Sequence, residues 1–152
     1  MSRNRSACSI ERTLSIIGER WTLLILRDAF RGVHRFDHFC SDLGIARNLL
    51  ANRLQKLVDH DIFEKRLYQA RPRRYEYWLT PKGVDLSPAL VALMRWGDKH
   101  LSDTAGPPLV LTHVDCGEPL HQEFVCRSCN VTVTPGGIRS RPGPGSPLVE
   151  SK

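Results

Sequence analysis

The sequence predicts an α+β fold that is mainly helical, and three observations lead to this prediction. Apolar residues recur at helical spacing in four successive segments within the first sixty residues. Two β-like segments joined by a basic turn follow, and one more helical segment runs to about residue 101. Beyond residue 106 the periodicity stops, and a short Cys- and His-rich segment precedes a Pro-, Gly- and Ser-rich tail.

Charge and composition suggest three parts: a domain at 1–105, a small Cys/His-rich β-type appendage at 106–138, and a disordered tail at 139–152. The chain of 152 residues carries a net charge of +6. The whole surplus lies within residues 1–105, because residues 106–152 carry as many acidic as basic side chains. A basic domain favours polyanionic partners, of which nucleic acid is the commonest.

The first three helices are predicted from apolar spacing and from the glycines that follow them. Residues 10–17 form a short stripe before Gly18, and residues 21–30 are apolar on more than one face, which places them in the centre of a core. Phe36, Phe39, Cys40 and Leu43 define the third helix, and Gly44 follows it at once. Cys40 lies on this apolar stripe and is therefore interpreted as a core residue.

The fourth helix carries the residues with the strongest functional pattern. Leu50, Leu54, Leu57 and Val58 form one buried stripe. The remaining polar residues are expected on the solvent side: Arg47, Asn48, Asn52, Arg53 and Lys56. Asn and Arg side chains can pair bidentately with adenine and guanine edges. An isolated helix of this kind would be interpreted as a solvated polar face, but the short glycine turn before it makes a helix-turn-helix.

A β-hairpin is predicted directly after this helix. Residues 62–69 and 75–79 read as strands, and residues 70–74 form a basic tip that contains Pro72. The order of helices, helix-turn-helix, hairpin and helix is that of a winged helix. Arg71, Arg73 and Arg74 would then contact the phosphate backbone or a minor groove, the alternative being a charged turn in solvent.

The hairpin is followed by a last helix with a clear start. Thr80 is a predicted N-cap, and Pro81 suits the first helical position. Leu86, Leu90 and Leu93 extend the helix to about residue 101, and Pro88 should bend it or split it into two pieces.

Five motifs in this order make the chain resemble the HxlR-type winged-helix regulators, relatives of the MarR group. They are residues 8–12 (CSIER), 17–28 (IGERWTLLILRD), 35–36 (RF), 50–54 (LANRL) and 72–83 (PRRYEYWLTPKG). The resemblance covers about residues 8–101 and implies a homodimeric transcriptional repressor on a pseudo-palindromic operator, with the dimer built from the terminal helices. It also implies that Arg47, Asn48, Asn52 and Arg53 lie in or near the major groove, with Arg71, Arg73 and Arg74 in the wing.

Two positions bear on this resemblance: Ala46 at the start of the fourth helix and Cys8 near the N-terminus. The family usually has Ser where this chain has Ala46, and losing a Ser cap costs about 1 kcal/mol, so either the cap moves or the helix begins differently. Cys8 occupies the position at which many members sense oxidants, quinones or aldehydes. Its redox-sensing role and an inert thiol packed beside the first helix are both left open.

The appendage contains two pairs of metal-type residues, His113 with Cys116 and Cys126 with Cys129. Closely spaced pairs of Cys and His are typical of zinc sites, and His121 is a competing fourth ligand. A redox-active Cys126–Cys129 pair and an appendage without metal are the alternatives. No cofactor is required for the main domain.

These features predict a cytoplasmic DNA-binding regulator with no enzymatic activity and no membrane partner. No apolar stretch resembles a signal peptide or spans a bilayer. A small-molecule or electrophile effector is compatible with the resemblance. Two rivals remain open: a thiol or redox protein that uses Cys126 and Cys129, and an RNA-binding zinc-ribbon protein.

Overall fold

The computed structural model describes residues 8–146, which divide into two compact units. The first unit ends at Leu90 and the second begins at Val91. This division falls within the last long helix. The predicted domain boundaries after residues 105 and 138 are not tested by it and stay predictions.

The first unit confirms the α+β, mainly helical prediction. Its elements follow in the predicted order: α1 (Ser9–Ile17), α2 (Arg20–Phe30), α3 (Phe36–Leu43), α4 (Arg47–Asp59), β1 (Phe63–Ala70), β2 (Arg73–Leu79), α5 (Pro81–Val84) and the start of α6 (Ser87–Leu101). The helices α3 and α4 form the helix-turn-helix, and the two strands form the wing.

The core of this unit is centred on the apolar stripe of α4. Leu50, Leu54 and Leu57 are fully buried, as the spacing predicted. They belong to one cluster with buried side chains from α2, α3 and β1, including Ile25 and Phe39. Burying a Leu, Ile or Phe side chain contributes about 1.5–3 kcal/mol, so this stripe determines which side of α4 faces outward.

The turn before α4 shows how the helix begins without the usual serine. Gly44 adopts a left-handed conformation, with φ of 61°, which favours glycine. Ala46 is the N-cap and offers no side-chain hydrogen bond. Instead, the Oδ1 atom of Asn48 accepts the backbone N–H of Leu49 at 2.9 Å. The helix therefore begins without a side-chain cap at Ala46, and Asn48 satisfies one N–H group of the first turn.

The hairpin is antiparallel and is attached to the segment between α2 and α3. Its register runs from Phe63 opposite Leu79 to Ala70 opposite Arg73. The backbone N–H of Tyr77 donates to the carbonyl of His34 at 2.8 Å. The His34 ring also stacks on Trp78 with 3.7 Å between ring centroids. The segment around His34 thus pairs with the hairpin alongside its two strands and attaches the wing to the helical core. The sequence analysis did not predict this contact.

The connection from the wing to α6 confirms two sequence predictions. The Thr80 hydroxyl accepts the backbone N–H of Gly83 at 3.1 Å, as expected of an N-cap. The predicted helix is split into α5 and α6, and Pro88 lies in the first turn of α6, where proline is tolerated. A Cβ atom on Gly83 would lie 2.3 Å from the carbonyl oxygen of Ile62, so glycine is required there by close packing.

The second unit continues α6 and then forms two small turns. Strands β3 (Val125–Cys126) and β4 (Val131–Thr132) are antiparallel, and Thr112 and Pro119 form an isolated antiparallel bridge. None of the described residues from 102 to 146 is buried. Within the predicted tail, residues 139–146 contain no helix or strand, and residues 147–152 lie outside the described part. No described helix is long and apolar enough to cross a membrane.

Candidate nucleic-acid interface

The outward face of α4 presents two asparagines one helical turn apart. Asn48 and Asn52 are both exposed. Leu50, which lies between them in the sequence, and Leu54, which follows them, are buried. A side-chain amide carries a donor and an acceptor, which together match the adenine edge in a major groove. The Asn48 oxygen already accepts the N–H of Leu49. Asn52 makes no such contact within the described residues and is therefore the better placed of the two.

Arg47 begins this face and is held by an aromatic ring and a carboxylate from α3. Its guanidinium lies 4.8 Å from the ring centroid of Phe36, and its Nη1 atom donates to Asp37 at 2.8 Å. Arg74 on β2 approaches the other oxygen of Asp37 at 4.0 Å. The hydrogen bond from Arg47 lowers the pKa of Asp37 below its ordinary value, so this carboxylate is ionised at neutral pH.

A solvent-open groove of about 270 Å³ lies between the starts of α3 and α4 and the hairpin. It combines basic and aromatic side chains with one carboxylate. Its lining residues are Phe36, Asp37, Arg47, Tyr68, Arg73, Arg74, Tyr75 and Tyr77. Three arginines against one aspartate leave the groove positive, which suits the backbone of a nucleic acid.

The hairpin tip carries the three predicted wing arginines, Arg71, Arg73 and Arg74, and all three are exposed. The structure therefore brings Arg73 and Arg74 together with Arg47 at the groove, as the winged-helix prediction requires. Arg71 lies at the turn between the two strands.

Two further cations of the wing region were missed by the sequence analysis. The guanidinium of Arg35 lies 4.5 Å from the Tyr68 ring centroid and donates to Glu76 at 3.0 Å. Hydrogen bonds from Arg35 and then from the Trp78 indole lower the pKa of Glu76. Arg66 lies 4.7 Å from the Trp78 ring centroid. Arg66 alternates with Tyr68 along β1, and this spacing is the signal that could have indicated it, whereas Arg35 precedes α3 and meets the hairpin only through the tertiary fold.

Arg53 and Lys56 do not belong to the exposed face, which corrects the expectation that both face solvent. The Arg53 side chain is only 22% exposed and forms an ion pair with Glu19, the N-cap of α2. Its Nε atom is buried and has no hydrogen-bond partner within residues 8–146. The Lys56 ammonium donates to the carbonyl of Ser15 at 2.8 Å.

Helical spacing accounts for the partial burial of Arg53. Position 53 follows Leu50 by three residues and precedes Leu57 by four, so it lies on the apolar stripe and its guanidinium must find a partner near the core. The same spacing points to Gln55, which the sequence analysis did not select. Gln55 is exposed three residues after Asn52. Its Nε2 atom donates a hydrogen bond to Asp59 at 2.6 Å, and its Oε1 atom accepts one from Lys65 at 2.7 Å.

Cys8 is exposed at the N-cap of α1. Its backbone carbonyl accepts the N–H of Arg12 at 3.1 Å, which begins the helix. Arg3 and Arg5, which precede this thiol in the sequence, lie outside the described residues.

The Cys and His residues of the appendage form two separate pairs. The Nδ1 atom of His113 lies 3.3 Å from the Sγ atom of Cys116. Hydrogen bonds from the backbone N–H groups of Cys129 and then Ser128 lower the pKa of Cys126. His121 is exposed in the connection between the two pairs. Among residues 8–146, no three His, Cys, Asp or Glu side chains lie close enough to hold one metal ion.

Comparisons with known proteins agree with this architecture. A family model described as HxlR-like helix-turn-helix matches residues 16–105. Rv3095 of Mycobacterium tuberculosis strain H37Rv, named an uncharacterized HTH-type transcriptional regulator, is 45% identical over 137 residues, which are 90% of this chain and 87% of the relative.

Two solved structures extend the comparison. The crystal structure of PA1607 superposes with a TM-score of 0.81 at 32% identity and covers 93% of this chain and 99% of that one. The redox regulator HypR in its reduced form superposes with a TM-score of 0.58 at 27% identity. The match covers 62% of this chain and 95% of the HypR chain.

The fold and the basic, asparagine-bearing face define a winged helix-turn-helix transcriptional regulator. Within that class, the chain belongs to the HxlR-like helix-turn-helix family, as the resemblance in the sequence implied.

The Arg53–Glu19 ion pair predicts that Arg53 contributes to folding stability. Arg53→Ala should lower the free energy of unfolding by about 1–2 kcal/mol, because Glu19 loses its partner and the packed stem of Arg53 is removed. Urea denaturation of purified protein measures this difference. Asn52→Ala is the matched control on the same helix and should change stability by less than about 0.5 kcal/mol. Equal midpoints for both variants would contradict the structural role of Arg53.

Proposed function

We propose that the protein is a homodimeric repressor that binds a pseudo-palindromic operator in double-stranded DNA. In each subunit α4 enters a major groove, and the β1–β2 hairpin lies on the adjacent backbone or minor groove. The observation that carries this proposal is the exposure of Asn48 and Asn52 beside the groove formed by Arg47, Arg73 and Arg74.

The contacts divide between base reading and backbone positioning. Asn52 is the principal base reader, since its amide is exposed and has no partner within the described residues. Arg71, Arg73 and Arg74 neutralise phosphates, and such contacts supply affinity without sequence information. Asp37 holds Arg47 and draws Arg74 toward it, which orients both cations before DNA arrives. Arg53 and Lys56 position α4 through Glu19 and Ser15 and do not read bases.

Duplex DNA is favoured over the two rival functions. Membership of a family of HTH-type regulators supports regulation rather than thiol catalysis. A single-stranded RNA site would be expected to expose aromatic side chains for stacking on bases. In the groove, Tyr75 and Tyr77 are half-buried, and the exposed Tyr68 ring already has the Arg35 guanidinium 4.5 Å from its centroid.

Substitutions on α4 and in the wing should affect DNA binding differently. After selection of bound sites from random duplexes, Asn52→Ala should weaken binding to the selected site by about 5- to 100-fold, the equivalent of one lost base contact. Binding to random duplex should hardly change. Arg73→Ala should weaken both complexes to a similar degree and reduce the slope of log affinity against log salt by about 1.

Fluorescence anisotropy with labelled duplexes over a salt series gives both quantities. Arg139→Ala removes one exposed positive charge that belongs to neither α4 nor the hairpin and serves as the control. The base-reading role of Asn52 is disproved if its substitution weakens selected and random duplexes equally. Failure of the unmodified protein to enrich any duplex would remove the proposal as a whole.

The dimer is supported by exposed apolar residues on α1 in the first unit and on the part of α6 that belongs to the second unit. On α1, Ile10 is 69% exposed and Leu14 is 54% exposed; on α6, Leu93 is 55% and Trp96 59% exposed. Large apolar side chains at helical spacing that remain in solvent are typical of a protein–protein interface. A second copy of the chain is the partner that a two-fold symmetric operator requires.

Replacing Trp96 should therefore weaken self-association. Trp96→Glu should raise the dimer dissociation constant at least about 30-fold, because a buried interface tryptophan contributes 2 kcal/mol or more. Sedimentation velocity measures the change, and Ser140→Glu adds the same charge at an exposed coil position as a control. A monomeric unmodified protein, or an unchanged constant in Trp96→Glu with its helical circular dichroism retained, would contradict this interface.

Cys8 is the oxidant-responsive residue in this proposal. Two observations favour it: the residue is exposed at the start of α1, and the structural neighbour HypR is named a redox regulator and has an oxidized as well as a reduced structure. A thiol at this position is accessible to an electrophile or to a second thiol, and a disulfide there would constrain the helices that form the dimer.

Oxidation should therefore change DNA binding through Cys8. Treatment with diamide, which accepts two hydrogen atoms as two thiols join, should lower operator affinity at least about threefold, an effect of the size typical of coupling between sites. Cys8→Ser should abolish this response, and Cys126→Ser should retain it. Anisotropy before and after reduction with dithiothreitol measures the change. A full response in Cys8→Ser would assign the sensing to another thiol.

A further inference from the structure

The appendage contains the same turn twice. His113 and Cys116 occupy the first and fourth positions of one turn, and Cys126 and Cys129 occupy them in the other. The backbone N–H of the fifth residue donates to the first carbonyl at 2.8 Å in one turn and at 2.7 Å in the other. The fifth residue is left-handed in both, with φ of 74° at Gly117 and 54° at Asn130.

Each turn is closed by a short antiparallel pairing. Thr112 and Pro119 form a bridge around the first turn, and Val125 pairs with Thr132 around the second. The repeated feature is thus a complete hairpin with metal-type side chains at two defined positions. Glycine and asparagine are the residues that most readily adopt the left-handed conformation that follows the second of these side chains.

The distance between the first pair suits a tetrahedral ion. With a Zn–N distance of about 2.05 Å and a Zn–S distance of about 2.3 Å, two ligands at the tetrahedral angle lie roughly 3.5 Å apart. His113 Nδ1 and Cys116 Sγ are 3.3 Å apart. The first turn therefore already presents half of a tetrahedral ligand set.

The appendage lacks the apolar core that would otherwise hold two hairpins in place. Val114 is 95% exposed and Phe124 66% exposed, and no described residue between 102 and 146 is buried. Small segments that cannot bury enough surface usually need a metal or a disulfide to become stable. Because the two turns of the appendage have no apolar core, we expect a bound group to stabilise them.

We propose that His113, Cys116, Cys126 and Cys129 bind one Zn²⁺ ion that joins the two turns. The three cysteines bind as thiolates and release their protons to solvent, and His113 binds as a neutral imidazole. Both turns are formed in the structure. Within residues 8–146 no three such side chains converge, so the two turns must approach each other around the ion. His121 lies in the connection and belongs to neither turn.

Metal analysis of the intact protein tests this site. Protein expressed with added zinc and purified without chelator should contain one zinc ion per chain. Exchange for Co²⁺ should produce the visible absorption bands of tetrahedral cobalt with thiolate ligands. Cys129→Ser and His113→Ala should each lower zinc affinity at least about 10-fold. The controls are His121→Ala, which removes an imidazole outside the turns, and Cys40→Ser, which removes a thiol of the first unit; both should retain stoichiometric zinc.

Limited proteolysis gives a readout that does not depend on metal analysis. Removal of zinc with a chelator should speed cleavage within residues 109–138 and leave the first unit intact. Three results would overturn the proposal: a reduced protein that binds neither zinc nor cobalt, equal zinc loss in His121→Ala and His113→Ala, or a Cys126–Cys129 disulfide that forms in glutathione buffer in the presence of zinc. None of these results depends on DNA binding, so they test the zinc site independently of the proposed regulatory function.

Discussion

The burial of Leu50, Leu54 and Leu57 is the constraint on which the rest of the first unit depends. These side chains hold α4 against α2, α3 and β1, and an α-helix has only one orientation in which one stripe is buried. Asn48 and Asn52 therefore face outward because the leucines face inward. The Arg53–Glu19 ion pair adds a polar connection on the edge of the same stripe, so the helix that carries the candidate base readers is fixed by both packing and charge.

Electrostatics then organise the outward surface. Three of its arginines are already engaged in the unbound protein: Arg47 with Asp37 and Phe36, Arg35 with Glu76 and Tyr68, and Arg66 with Trp78. A flexible arginine loses about 2 kcal/mol of side-chain entropy when it is fixed, and these contacts restrict it beforehand. The carboxylates reduce the positive charge at the same time, and this limits indiscriminate attraction to any polyanion while the orientation of each guanidinium is retained.

The appendage follows a different rule from the first unit. Its order comes from local hydrogen bonds and left-handed residues at Gly117 and Asn130, because none of its described apolar side chains is buried. Local turns position residues that are close in sequence but cannot alone bring distant turns together. An apolar core does this for α2, α3 and α4, and the proposed zinc ion would do it for the two hairpins.

The sequence by itself determined the element order, the buried stripe of α4, the cap at Thr80, the split before Pro88 and the family, because all of these depend on residue types at short spacing. It also selected Arg47, Arg73 and Arg74, which the structure places around one groove, while their contact with DNA stays a prediction. Only the tertiary structure decided that Arg53 and Lys56 turn toward Glu19 and Ser15, and that His34 joins the hairpin. Periodicity assigns a residue to a face, but the direction of a long side chain depends on which partner lies within reach, and those partners come from distant parts of the chain.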